Sequence, residues 1–151
     1  ENTAILLSMV PSLSRVYSKD KWGIRPILTD SVTAGNYAKA LFSGRVYEAL
    51  FLICLDSKKR VTHTELIYEG TIDETPYYPR LIVEAALRHG AHSVIMTHNH
   101  PSGVRSPSTY DIDATIKMYR VMKAIDIDLV DHIIVAGDGF LSMASLGYVK
   151  D

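Results

Sequence analysis

The chain has 151 residues, 47% of them apolar and 22% charged, and its 16 basic and 17 acidic side chains give a formal charge of -1. That is enough for one domain with a real core, and the composition excludes a disordered or collagen-like class. The near-neutral balance calls for no polyanionic partner, although a local basic patch remains compatible with it.

Residues 1 to 30 open with "ENTAILLSMVPSLSRVYS", an apolar patch without a basic leader, which does not read as a signal peptide. The missing initiating Met leads us to expect further residues upstream. "SVTAGNYAKALFSG" from Ser31 predicts a short helix stopped by Gly44. "VYEALFLICLD" predicts a buried strand, and its apolar run at 49–55 is far shorter than the roughly 20 residues of a spanning helix. That run holds the single cysteine, Cys54, which excludes an internal disulfide and suits a reducing, cytoplasmic setting. A charged turn leads into "VTHTELIYEG", whose alternation predicts an antiparallel partner strand.

"TPYYPRLIVEAALRHG" predicts a helix with a proline near its start and Gly90 at its end. "AHSVIMTH" predicts another strand. "PSTYDIDATIKMYRVMKAI" predicts the longest helix, with Ile112, Ile116, Tyr119 and Met122 forming its apolar face. "DLVDHIIVAG" and "GFLSMASLG" predict closing strands. No repeat interrupts this order, and together the elements give an α/β domain with a mixed β-sheet flanked by helices.

The chemistry concentrates in "MTHNHPSGVRSPSTYD", residues 96–111. In a strand, residues two apart point the same way, so His98 and His100 can converge on one ion while Asn99 points opposite. Pro101 ends the strand, and the turn-rich loop that follows can bring Asp111 back beside it. Two nitrogens and one oxygen, with a position left over, match a catalytic zinc site and suit zinc better than calcium or magnesium. The same letters have a plainer reading, in which Ser108 and Asp111 form a helix capping box and the histidines are a polar strand end. Spacing alone leaves both open, and they are compatible.

His-x-His followed by Ser-x-x-Asp resembles the JAMM (MPN+, JAB) metalloprotease signature. "HNHPSG" with the later "DHIIV" of residues 131–135 resembles the RadC-like branch more narrowly, over roughly residues 31–149. The letters are not those of an HNH nuclease, whose residues spread along a ββα unit. The resemblance implies a JAMM/MPN-like, cytidine-deaminase-like three-layer domain over 31–151, with 1–30 as an N-terminal extension. It implies Zn2+ held by His98, His100 and Asp111, with Glu48 as the general base and Ser108 hydrogen-bonding the oxyanion. Glu48, a charge directly before an apolar strand, is poorly explained by packing, whereas Glu65, Glu69 and Glu84 read as exposed or solvated. The reaction implied is hydrolysis of a peptide or isopeptide bond in a peptide or protein substrate.

Two departures stand out. Family members commonly carry Pro-Arg-Glu where this chain has Pro79-Arg80-Leu81, and residues 1–30 are too short for the DNA-touching helix-hairpin-helix segment many possess. A nucleic-acid-associated module, in line with the family's DNA repair label, and a non-catalytic MPN scaffold stay as alternatives. His132 reads as a satisfied strand-end residue, with a support for the metal ligands or a substrate contact as alternatives. Ser102 and Gly103 read as turn formers, and Asn99 as a loop anchor. Tyr77 and Tyr78 read as packing, Cys54 as core, Arg105 as a loop charge, and His63, His89 and His92 as surface or edge. The sequence does not reveal the oligomeric state.

Overall fold

The computed structural model describes residues 25–70 and 77–150. Residues 1–24 of the expected extension, and the Thr75-Pro76 start of the expected second helix, lie outside the described residues. Three helices and five strands occur among those described: α1 (Ser31–Phe42), β1 (Glu48–Leu55), β2 (Val61–Gly70), α2 (Pro79–Arg88), β3 (Ser93–His100), α3 (Thr109–Ala124), β4 (Asp128–Ala136) and β5 (Gly139–Ser142). They form the expected mixed sheet, ordered β2-β1-β3-β4-β5. Only β3 and β4 run parallel, joined through α3; the other pairs are antiparallel.

β1 shows why its apolar run has no alternation. Ala49, Phe51, Ile53 and Leu55 pack on one side with Tyr37, Ala38 and Leu41 of α1. Leu50, Leu52 and Cys54 pack on the other with Ile82 and Ala85 of α2 and Met118 of α3. Helices cover both sides of the sheet, so both sides of the strand are apolar. β2, at the edge, buries only Val61. Pro26 to Leu28 lie against the turn between β1 and β2, where Leu28 donates to the Lys59 carbonyl and buries its side chain in the α1-side core. Among the described residues, no helix is long and apolar enough to cross a membrane.

Local signals set most boundaries. α1 begins one residue after Asp30, whose carboxylate accepts from Thr33 N at 2.7 Å. Its chain reverses at Gly44, whose φ of 75° is the left-handed region. α2 begins at Pro79, which lacks the N–H a first-turn residue could not pair. The closing "GFLSMASLG" is strand only to Ser142, after which it turns.

α3 corrects the expected stripe. Its buried residues are Asp111, Ala114, Thr115, Met118 and Met122, whereas Ile112, Ile116 and Tyr119 are only half-buried. The helix is rolled so that a carboxylate and a hydroxyl face inward. Apolar periodicity cannot find such a face, because two of its positions are polar.

The α1 layer lies close on β5. A Cβ at Gly35 would collide with the Phe140 ring, which packs against the α1-side core. Gly35→Ala should therefore destabilise the chain by about 1–3 kcal/mol despite alanine's better helix propensity. Chemical denaturation checks this, and an unchanged or higher midpoint would contradict it.

Candidate metal centre

β3 ends with its side chains alternating between the two layers. Val94 and Met96 face α2 and α3, and His98 and His100 continue that side. Asn99 turns the other way. The Ser108 capping box starts α3: Ser108 Oγ accepts from Asp111 N at 3.0 Å, and Ser108 N donates to Asp111 Oδ2 at 2.8 Å. The capping reading of this stretch holds and is compatible with the metal reading, because the cap sets the height of Asp111 beside the strand end.

His98 Nε2 lies 3.1 Å from His100 Nε2 and 3.2 Å from Asp111 Oδ1, and His100 Nε2 lies 3.3 Å from Asp111 Oδ2. Ligands about 2.0–2.1 Å from a tetrahedral ion stand about 3.3 Å from one another. The three donors thus have the mutual spacing of one ion's ligands, and the group could hold a metal ion. His98 and Asp111 are buried, and His100 is half-buried at the opening.

The surrounding hydrogen bonds fix where the protons sit. Thr115 Oγ1 donates to the Asp111 carbonyl at 2.6 Å, because a carbonyl can only accept. Thr115 must then accept from His132 Nδ1, also at 2.6 Å. Burial first of all, with the neighbouring His98, pushes the His132 pKa well below its ordinary value, so the ring is neutral. Its Nε2 therefore accepts from His98 Nδ1 at 2.8 Å. Tyr77 donates to Asp111 Oδ1 at 3.0 Å; burial, then the Asp111 charge, raises its pKa well above the usual value and keeps the proton on it. His100 Nδ1 donates to the Val104 carbonyl at 2.9 Å. With each Nδ1 engaged elsewhere, both Nε2 atoms face one carboxylate, where each can carry a proton or give its lone pair to a metal ion. Lone pairs so close repel unless a cation or a proton stands between them.

The acid–base balance agrees. Burial would raise the Asp111 pKa, but hydrogen bonds from His100, His98 and Ser108 outweigh it and hold the carboxylate well below the usual range. The hydrogen bond to Asp111 raises the His100 pKa against the opposing effect of burial. Proton and metal ion therefore compete for the same position.

Glu48 begins β1 and is half-buried. The β1–β3 pairing begins at Leu50 and His98, so Glu48 lies at the same end of the sheet as His100. Its charge contributes to raising the pKa of both His100 and Tyr77. Asn99 holds that segment from the far side of β3, accepting from Ala49 N at 2.8 Å and donating to the Tyr47 carbonyl at 3.0 Å. Ser108 is exposed at the rim. On the α1 side of the sheet, a groove of about 360 Å³ lined by Lys39, Phe42, Arg45, Asn99, Pro101 and Val135 opens at the end of β3 and reaches His100.

Sequence reasoning gave Tyr77 to packing, yet its hydroxyl meets His98, Asp111 and His132. It missed Thr115 altogether, and His132 proves to be the support for His98. Gly103, with a φ of 82°, makes the turn after His100. Arg105 pairs with Asp138, and Cys54 is buried, its thiol pushed up to about 11 mainly by burial. Glu84 pairs with Arg80, and Glu69 with Arg45. Glu65 is not simply exposed, since Arg88 and His89 both contact it.

A family model described as the RadC-like JAB domain matches residues 28–148. A UPF0758 protein of Pseudomonas fluorescens is 33% identical over 144 residues, covering 95% of this chain and 64% of the relative. A UPF0758 protein of Herminiimonas arsenicoxydans is 42% identical over 111 residues, covering 74% of this chain and 50% of the relative. One of Pseudomonas syringae pv. tomato is 35% identical over 141 residues, covering 93% and 63%. The chain thus spans less than two thirds of the length of these relatives.

If the proton chain sets the His98 lone pair, Thr115→Val should weaken zinc binding by about 10–100-fold, the usual effect of losing a ligand's supporting hydrogen bond. Competition with a chromophoric chelator measures it; an affinity equal to the parent's, in a folded variant, would contradict the assignment.

Proposed function

This chain belongs to the RadC-like JAB domain family, and from that premise we propose that it is a zinc-dependent hydrolase of a peptide or isopeptide bond. The observation that carries the reading is the convergence of two imidazole nitrogens and a carboxylate at 3.1–3.3 Å. Two nitrogens and one oxygen are a zinc donor set with a position left for substrate. Zinc bound there supplies Lewis acidity, polarising a carbonyl and acidifying water.

The chain's own groups do the rest. The Glu48 carboxylate accepts a proton from the attacking water and returns one to the leaving amine nitrogen. Asn99 fastens the backbone on either side of Glu48 to the end of β3, through Ala49 N and the Tyr47 carbonyl. Ser108 Oγ accepts from Asp111 N, which leaves its O–H to donate to the developing oxyanion. Tyr77, buried over His98 and Asp111, excludes water from the inner side of the site. The partner is a peptide or protein, and the compartment a reducing one.

The test is Glu48→Gln, which keeps shape and removes the base. Zinc-loaded parent and variant are incubated with a complex peptide mixture, and newly formed amines are counted by mass spectrometry. The parent should create new amines, and the variant should do so at least about 100-fold more slowly with its zinc content unchanged. A parent that creates none, or a variant as fast as the parent, would overturn the reading.

A further inference from the structure

A second group of donors converges away from this centre. His63 and Glu65 lie two apart on β2, so their side chains share a face. His89 caps the C-terminal end of α2, and its ring stacks on that of His63, centroids 3.6 Å apart and planes 20° from parallel. Glu65 Oε2 is 3.0 Å from His89 Nε2. One ligand atom from each of the three lies within 4.8 Å of the others. The β1 register sets His63 beside Cys54 and Glu65 beside Leu52, which pair with Val94 and Met96, so the group sits two strands over from His98 and roughly 7–13 Å back along the strands.

We propose that His63, Glu65 and His89 form a second site for a divalent transition-metal cation, zinc above all, fastening edge strand β2 to the end of α2. Two imidazoles and one carboxylate are the donor set such ions prefer, and a poor one for magnesium or calcium. Packing gives β2 little else here, since it buries only Val61. The contacts that join it to α2 at this end are polar: the ring stack, His89 to Glu65, and Arg88 to both Glu65 oxygens at 2.7 and 2.9 Å. Arg88 is the internal competitor, a cation already seated on the carboxylate. Its side chain is 58% exposed, so it can leave for solvent when a metal ion arrives. α2 begins just after Tyr77, so a metal ion that fixes this helix also steadies the residue over the first centre.

The test titrates the whole 151-residue chain, stripped with a chelator, with zinc chloride. The parent should take up about two equivalents. His63→Ala/His89→Ala should lose one of them, and His98→Ala/His100→Ala should keep one. In the latter background zinc should raise the thermal midpoint, and the further change His63→Ala should abolish the rise. Arg88→Ala should tighten this second equivalent severalfold. Circular dichroism confirms folding, and His89→Gln serves if an alanine variant fails to fold. Zinc uptake that is unchanged in His63→Ala/His89→Ala, or absent in His98→Ala/His100→Ala, would overturn the proposal. One equivalent that vanishes only with His63 and His89 would support it while removing the zinc reading of the first centre.

Discussion

Thr115 can send its hydroxyl proton to one place, the Asp111 carbonyl, and the order of the buried site follows from that constraint. With the proton spent, Thr115 can only accept, so His132 carries its hydrogen on Nδ1 and offers Nε2. His98 must then carry its own on Nδ1, which leaves its other nitrogen facing His100 and Asp111. Two residues outside the proposed ligand set, Thr115 and His132, thus orient one that would touch a metal ion. Such a chain is costly to bury half-satisfied. Here each member of the chain has a partner, which lets Asp111, His98 and His132 lie together in the interior.

The fold supplies the meeting point. β3 delivers two histidines because its period is two, and α3 delivers Asp111 and Thr115 because residues four apart share a helix face. The parallel step from β3 through α3 to β4 brings His132 alongside Met96, one strand over from the sheet's centre. Glu48 comes from the neighbouring antiparallel strand, whose start lies at the same end of the sheet. Asn99, facing away from the metal position, uses its amide to tie the start of β1 to the end of β3. One strand therefore carries two proposed ligands on one face and the fastening for the proposed base on the other.

What the sequence made legible was local. His98 and His100 follow from strand period, and Asp111 with Ser108 from capping chemistry. All five strands and the three helices could be drawn from apolar runs and turn residues. What stayed hidden was whatever depends on residues meeting from separate elements. Tyr77 looked like packing because its ring does pack; only its hydroxyl reaches the site. Thr115 looked like an ordinary helical residue. The inward face of α3 was misjudged because Ile112 and Ile116 suggested a different stripe, while the polar pair Asp111 and Thr115 took the buried positions. His63, Glu65 and His89 each read as surface, and nothing in their spacing announces that they gather.

The central claim is that His98, His100 and Asp111 share one cation. Anomalous diffraction on either side of the zinc edge, from crystals grown with zinc, tests it most directly. The account predicts a peak about 2.0–2.1 Å from His98 Nε2, His100 Nε2 and an Asp111 oxygen together. No peak there in crystals soaked with excess zinc, or one touching only a single one of the three residues, would contradict it.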